Sequence, residues 1–279
     1  MRPCASALLT LWTCGCAPAL STFHPGHIAE TGHAQVEFGA DAALALSAPR
    51  DLVAKGINGA NLARSSKLSQ EERLMLFKAV GAHALSPTAI TPHLGIGFTP
   101  VDRWEANLRY TSNSLRVGTR HQLAEIDKDD DYDLTVGAGL AYFVRGYPLE
   151  SGLEMIEVDD FWRWQIDVPI MLGQRAEWYR LWIGPRLMLA RFGADMVLHL
   201  PAFTGYPGEQ ESGSFTGYAV YVGTQIGVAI GYKHLFVGFE LTGVSTFGSG
   251  LVDAFGKRGF KVDLDGYIIN PAIGVIAEF

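Results

Sequence analysis

Apolar and polar positions alternate with a period of two along most of this chain. Gln35 to Leu46 sets Val36, Phe38, Ala40, Ala42, Leu44 and Leu46 against Gln35, Glu37 and Asp41. Ile90 to Phe98 sets Ile90, Leu94, Ile96 and Phe98 against His93 and two glycines, and Trp104, Ala106, Leu108 and Tyr110 oppose Glu105, Asn107 and Arg109. Leu115, Val117 and Leu123 then oppose Arg116, Arg120 and Gln122. The same register continues through Leu134–Val144, Trp164–Leu172, Leu181–Leu189 (against Arg180 and Arg186), Tyr218–Ile230, Leu235–Leu241 and Tyr267–Phe279. Successive side chains of a strand point to opposite faces, so these ten segments predict ten two-faced β-strands.

Each segment is longer than the usual five or six residues of a sandwich strand and matches the ~9–11 residues of a tilted membrane-spanning strand. Either face could be the inner one on alternation alone, and the connections break the tie. Those after odd strands include long ones, 47–88, 148–161, 193–215 and 249–263, although Ser112-Asn113 is tight. Those after even strands, 100–102, 125–132, 173–176 and 232–234, are short. Long loops on one rim and short turns on the other describe a barrel in a bilayer. Aromatics near strand ends (Trp104, Tyr110, Tyr142, Tyr147, Trp162, Trp164, Trp178, Tyr179, Tyr218, Tyr232, Phe279) fit interfacial girdles. The expected fold is all-β: a closed antiparallel transmembrane β-barrel of about ten strands, with a short helix in the first long extracellular loop. That helix is predicted from Ser69-Gln70-Glu71-Glu72, a capping box, followed by apolar residues at helical spacing through Val80. It is expected to pack against the rim, with a plug or a partner-docking element as alternatives.

Composition agrees with a lipid-facing surface. The 279 residues are 48% hydrophobic and only 18% charged, without a run of some 20 apolar residues that would make a helical span. A net charge of −7 excludes a nucleic-acid partner, because phosphate neutralisation needs clustered Lys and Arg.

Arg2, the apolar stretch Ala5–Trp12 and the small residues Cys14–Ala17 have the layout of a secretory signal. Gly15-Cys16-Ala17 predicts a lipoprotein-type signal over 1–16 with lipidation at Cys16, and Ala17-Pro18-Ala19 offers ordinary cleavage after Ala19 as the alternative. Residues 17–33 are then expected as a periplasmic tether and 34–279 as the outer-membrane barrel. All three cysteines (Cys4, Cys14, Cys16) precede the barrel, so no disulfide framework is expected.

With these features the chain resembles small outer-membrane β-barrel proteins of Gram-negative bacteria. The particular likeness is to a myxobacterial-type subgroup with a lipoprotein-like signal, carried by Ser21-Thr22-Phe23 after the lipobox and by Gly32-His33-Ala34-Gln35-Val36. The resemblance implies an outer-membrane location with both termini periplasmic. It also implies that the terminal Phe279 is the assembly signal read by the barrel-assembly machinery.

Enzymatic readings lack their residues. An omptin-like protease needs an Asp-x-His element, which is absent. His121 and the serines Ser112 and Ser114 are too far apart along one strand to form a hydrolase pair. No catalytic, cofactor or metal site is therefore expected. The aspartates from Asp127 to Asp133 lack the glycine and glutamate of a calcium loop and are expected as a solvated turn, and His24, His27 and His33 as incidental tether residues. The inward Arg109, Arg116, Arg120, Arg145, Arg180 and Arg186 are expected to pair with Glu37, Asp41, Glu105, Asp167 and Glu240 across a narrow lumen. A lumen so filled points to a structural or interaction scaffold, such as part of an envelope, surface-adhesion or motility assembly, rather than a small diffusion pore. Its partners would be outer-membrane lipid and a protein or surface met through loops 48–87 and 193–215.

Overall fold

The computed structural model describes residues 20–46, 48–63, 67–85, 89–127, 132–144, 147, 155–202 and 208–279. The strands are β1 (Ala34–Leu46), β2 (Ala89–Val101), β3 (Trp104–Thr111), β4 (Ser114–Asp127), β5 (Tyr132–Phe143), β6 (Ile156–Arg175), β7 (Tyr179–Leu200), β8 (Glu209–Tyr232), β9 (Leu235–Ala254), β10 (Lys257–Asp263) and β11 (Gly266–Glu278). Two helices, α1 (Ala48–Ala63) and α2 (Gln70–Leu85), lie between β1 and β2.

Every neighbouring pair is antiparallel, and β11 pairs with both β9 and β1, which closes a ring of the ten predicted strands. At the seam Ala34 and Phe279 exchange two backbone hydrogen bonds of 2.9 Å. The eleventh strand, β10, replaces part of the connection expected over 249–263. It folds back on the far half of β9 through Phe255 and Gly256, both at positive φ (58° and 69°), a turn whose twist matches a hairpin.

The ambiguity of inside and outside resolves one way. Phe38, Leu94, Ile96, Leu108, Val117, Leu140, Ile183, Ile226, Val237 and Ile273 point outward and are exposed, whereas Glu37, Glu105, Arg109, Arg116, Arg120, Asp167 and Arg186 are buried. A water-soluble barrel would lose roughly 25 cal/mol per Å² of that exposed apolar band. In lipid the same band is the favourable surface, so this is a membrane-spanning β-barrel. Trp104, Trp178, Tyr232 and Phe279 mark its short-turn rim and Tyr110, Tyr142 and Tyr218 the other. Tyr147 does not belong to the girdle; its hydroxyl donates to the Val80 carbonyl at 2.8 Å, inside the mouth.

The wall is uneven in height. Strands β1–β5 are 8 to 14 residues long and β6–β9 are 20 to 24. At ~3.3 Å per residue and a tilt near 40°, the longest rises roughly 60 Å, about twice the hydrocarbon thickness. Within the connections expected over 148–161 and 193–215, residues 156–161, 193–200 and 209–215 are the tops of these strands.

The first loop holds two helices where one was expected. The predicted cap is present: Ser69 Oγ donates to Glu72 Oε2 at 2.8 Å, and the same oxygen accepts the Ser69 N–H at 2.7 Å. Those two bonds hold the Glu72 carboxyl below its ordinary range. From Leu76 to Ala84 the helix α2 is buried on nearly every side except at Lys78. It packs against the inner surface of the tall wall, where Phe77, Phe192, Phe215, Met196 and Val252 form one apolar cluster. Arg73 ties the helix to the top of β8 through Glu209 (2.7 Å) and Glu211 (2.9 Å). The helix therefore stops the mouth rather than lying along the rim.

Candidate functional site: an occupied lumen

Below the helices the inward positions form a charge network. Arg109 lies between Glu37 (3.3 Å) and Asp41 (3.4 Å), and Asp41 also meets His93 Nδ1 at 2.7 Å. Arg116 grips Asp167 with two bonds of 2.9 Å, Arg186 reaches the same carboxylate at 2.8 Å, and Arg120 pairs with Glu105. Strand pairing puts these groups in register, for Arg120 stands opposite Glu105 and Arg116 opposite Arg109. Gly139 leaves the room for it, because a Cβ there would overlap the Arg116 guanidinium. Such pairs contribute little net stability, since desolvation offsets attraction, yet removing one partner strands a buried charge at a cost of about 3–5 kcal/mol.

The remaining predicted positions have other tasks. Arg180 sits at the short-turn rim, over the Phe236 ring at 4.2 Å and 3.5 Å from Glu278. Glu240 faces the centre of the barrel and accepts the indole N–H of Trp182 at 2.8 Å. Arg145 and Cys16 lie outside the described residues.

The segment expected as a tether runs instead through the barrel. Leu20 to Ile28 are all buried, although they belong to no strand. His27 Nε2 lies 2.9 Å from Glu278 Oε1 at the short-turn rim, and from there the chain climbs. Pro25 accepts from Arg120 at 2.7 Å and Ser21 from Arg109 at 2.5 Å, both through backbone carbonyls. The Glu240 carboxylate accepts two successive backbone N–H groups, from Thr22 at 3.0 Å and Phe23 at 3.1 Å, and Gln225 donates to the Thr22 hydroxyl at 2.7 Å. Leu20 reaches the apolar cluster beneath the helices.

Phe23 is the anchor. Its ring centroid is 5.4 Å from that of His93 and 6.2 Å from that of Trp182, within a cluster that includes Met171, Phe236 and Ile276. Its backbone is left-handed, with φ at 49°, a conformation that costs a bulky residue of order 1–3 kcal/mol unless its surroundings impose it. Gly26 is wedged against Gly173 of β6, and a Cβ on either would overlap the other's backbone. What space remains around His24, beside Gln35, Glu37, Glu105 and Arg109, is a cavity of about 10 Å³, at the lower limit for one water.

Sequence reasoning missed His27, Gln225, Glu278 and Trp182 as lumen residues. The last three occupy inward positions of their strands, which was the available signal; His27 lies outside any alternation. His24 and His27 are not incidental, since both are packed inside the barrel. Among the described residues no group of three or more His, Cys, Asp or Glu is placed to hold a metal ion. Asp133 leaves the acidic run to accept from Gln122 at 2.6 Å, while 128–131 lie outside the described residues. His121 stacks on Trp104 at 4.4 Å on the outer surface, and Ser114 faces inward at the other end of β4.

Fold and site together define a membrane-spanning β-barrel whose lumen is filled by its own chain. No family model matches the sequence, and no curated protein does. Solved structures that are similar include Ail, the attachment invasion locus protein of Yersinia pestis (13% identity over 90% of this chain and 100% of that one, TM-score 0.29). A major outer membrane protein from Thermus thermophilus shares 9% identity over 88% of this chain and 99% of that one, at TM-score 0.31. The CymD monoaromatic hydrocarbon channel shares 9% over 91% and 90%, at TM-score 0.33.

Proposed function

We propose that this protein is an outer-membrane β-barrel that works as a closed scaffold, presenting the tall β6–β9 wall and the helix pair to a partner outside the cell. The carrying observation is the lumen. Its described Arg and acidic side chains pair across strands, a segment of the same chain threads it, α2 stops its mouth, and the space left around His24 is about 10 Å³, room for one water at most. A diffusion pore needs a continuous aqueous path, and a threaded lumen with a helix in its mouth favours the scaffold over it. Both chain ends of the barrel lie at the short-turn rim, the periplasmic side in this reading, and the wall rises on the other. Lipidation at Cys16 and recognition of Phe279 by the assembly machinery belong to the same proposal, as does the absence of enzymatic activity, because Ser114 and His121 lie on opposite faces. Purified full-length protein in planar bilayers tests it: no stepwise conductance is expected, and reproducible steps would overturn the scaffold reading.

A further inference from the structure

The segment Leu20–Ile28 has the physical character of a bound ligand. The barrel closes without it, since β11 pairs directly with β1 and every strand has its neighbours. It adds to no strand ladder. Its hold combines side-chain tips on its backbone (Glu240, Arg109 and Arg120), the side-chain contacts of Thr22 with Gln225 and of His27 with Glu278, Leu20 and the Phe23 ring in apolar pockets, and one glycine against the wall. This is recognition of an extended peptide by a preformed cleft, with main-chain contacts supplying affinity and a side-chain pocket supplying selectivity. The fit is also incomplete. Ser21 Oγ, Gln225 Oε1, Thr242 Oγ1 and both amide atoms of Asn270 are buried without a hydrogen-bond partner. Gln225, Thr242 and Asn270 form one row across β8, β9 and β11 beside Thr22. Unpaired buried polar atoms weaken a complex, and Phe23 is held in its strained backbone conformation by the Glu240 bonds together with the packing of its ring.

We infer that the lumen is a peptide-binding site whose resident occupant is this chain's own residues 20–28, and that the segment can leave and be replaced in trans by a peptide with Phe at its centre and Gly three positions on. The inference rests on the closed-lumen reading but adds exchange to it.

The test uses the full chain carrying Gly26→Leu. That side chain has no room against Gly173, so the segment is expelled while the strands are untouched. Heat-modifiable migration in SDS gels reports that the barrel is folded, and Glu240→Gln serves as the second variant should the first fail that check. Chymotryptic cleavage after Phe23, read by mass spectrometry, is expected to be at least tenfold faster in the variant than in the parent protein, where only the transiently open fraction is cut. A labelled peptide of residues 20–30 is expected to bind the folded variant saturably and the parent about tenfold or more weaker. The same peptide with Phe23→Ala should lose about tenfold, as expected for a buried aromatic ring. Cleavage after Phe23 no faster in the folded variant than in the parent, equal binding of a scrambled peptide, or no binding to a folded variant with Phe23 exposed would each overturn the inference. Conductance by the parent protein would instead overturn the scaffold reading, so the two failures are distinguishable.

Discussion

Glu240 on β9 accepts the backbone N–H of Phe23 at 3.1 Å across 217 positions of sequence. With the Thr22 N–H and the Trp182 indole on the same carboxylate, this one side chain joins the threaded segment to two strands of the wall.

Replacing Glu240 by Ala leaves three buried donors without their acceptor. The cost is of the order of 3 kcal/mol, concentrated in the segment rather than the sheet. Amide hydrogen exchange at Thr22 and Phe23 should accelerate by about 100-fold or more, with strand amides near β2 and β3 unchanged.

Asp167 is shared by Arg116 and Arg186. Asp167→Ala strands two buried guanidinium groups, and a loss of about 3–5 kcal/mol is expected. Urea titration of the detergent-solubilised barrel should show the lowered midpoint. Asp167→Asn, which keeps the shape but not the charge, is expected to fall between Ala and the parent.

Gly81 of α2 is pressed on the ring of Phe215, which a Cβ would overlap. Gly81→Leu should push the helix out of the mouth. Limited proteolysis in the 64–69 connection is expected to rise at least several-fold while the heat-modifiable band persists.

The cap of α2 carries a pH dependence. The Glu72 carboxyl is held below its ordinary value by the Ser69 N–H and hydroxyl. A depressed carboxyl pKa stabilises the helix end at pH values above the ordinary glutamate range, and the effect is lost as pH falls through the folded value. Exchange protection at the first turn of α2 should therefore decline on acidification. In Glu72→Gln that first turn should respond to pH much less.

Phe279 exchanges two backbone bonds with Ala34 and its ring remains exposed at the short-turn rim. Deleting it removes half of the last pair of the closing ladder. In cells, the folded yield in the outer-membrane fraction should fall more than after shortening the 203–207 connection.

The alternation from Val36 to Phe279 was sufficient for ten strands and for the division of each into a charged and an apolar face, because the two-residue period of a strand is a local property. It also placed Arg116 and Asp167 on one side of the sheet, since parity carries that information. Local capping chemistry marked α2 in the same way, through Ser69 and Glu72. Three things were decided only in three dimensions. The missed helix α1 has Ser47 before it and Pro49 and Asp51 in its first turn, but Arg50 stands where a capping box has Glu or Gln, and the helix packs on α2. Strand β10 is set by the Phe255-Gly256 turn and by the free edge of β9 above the seam. Above all, the lumen's occupant left no trace in the pattern. Thr22, Phe23 and Pro25 are held through backbone atoms, which every residue possesses, by Glu240 and Arg120 that lie far along the chain. A peptide group carries no sequence signature, so only closure of the barrel around it shows what binds there.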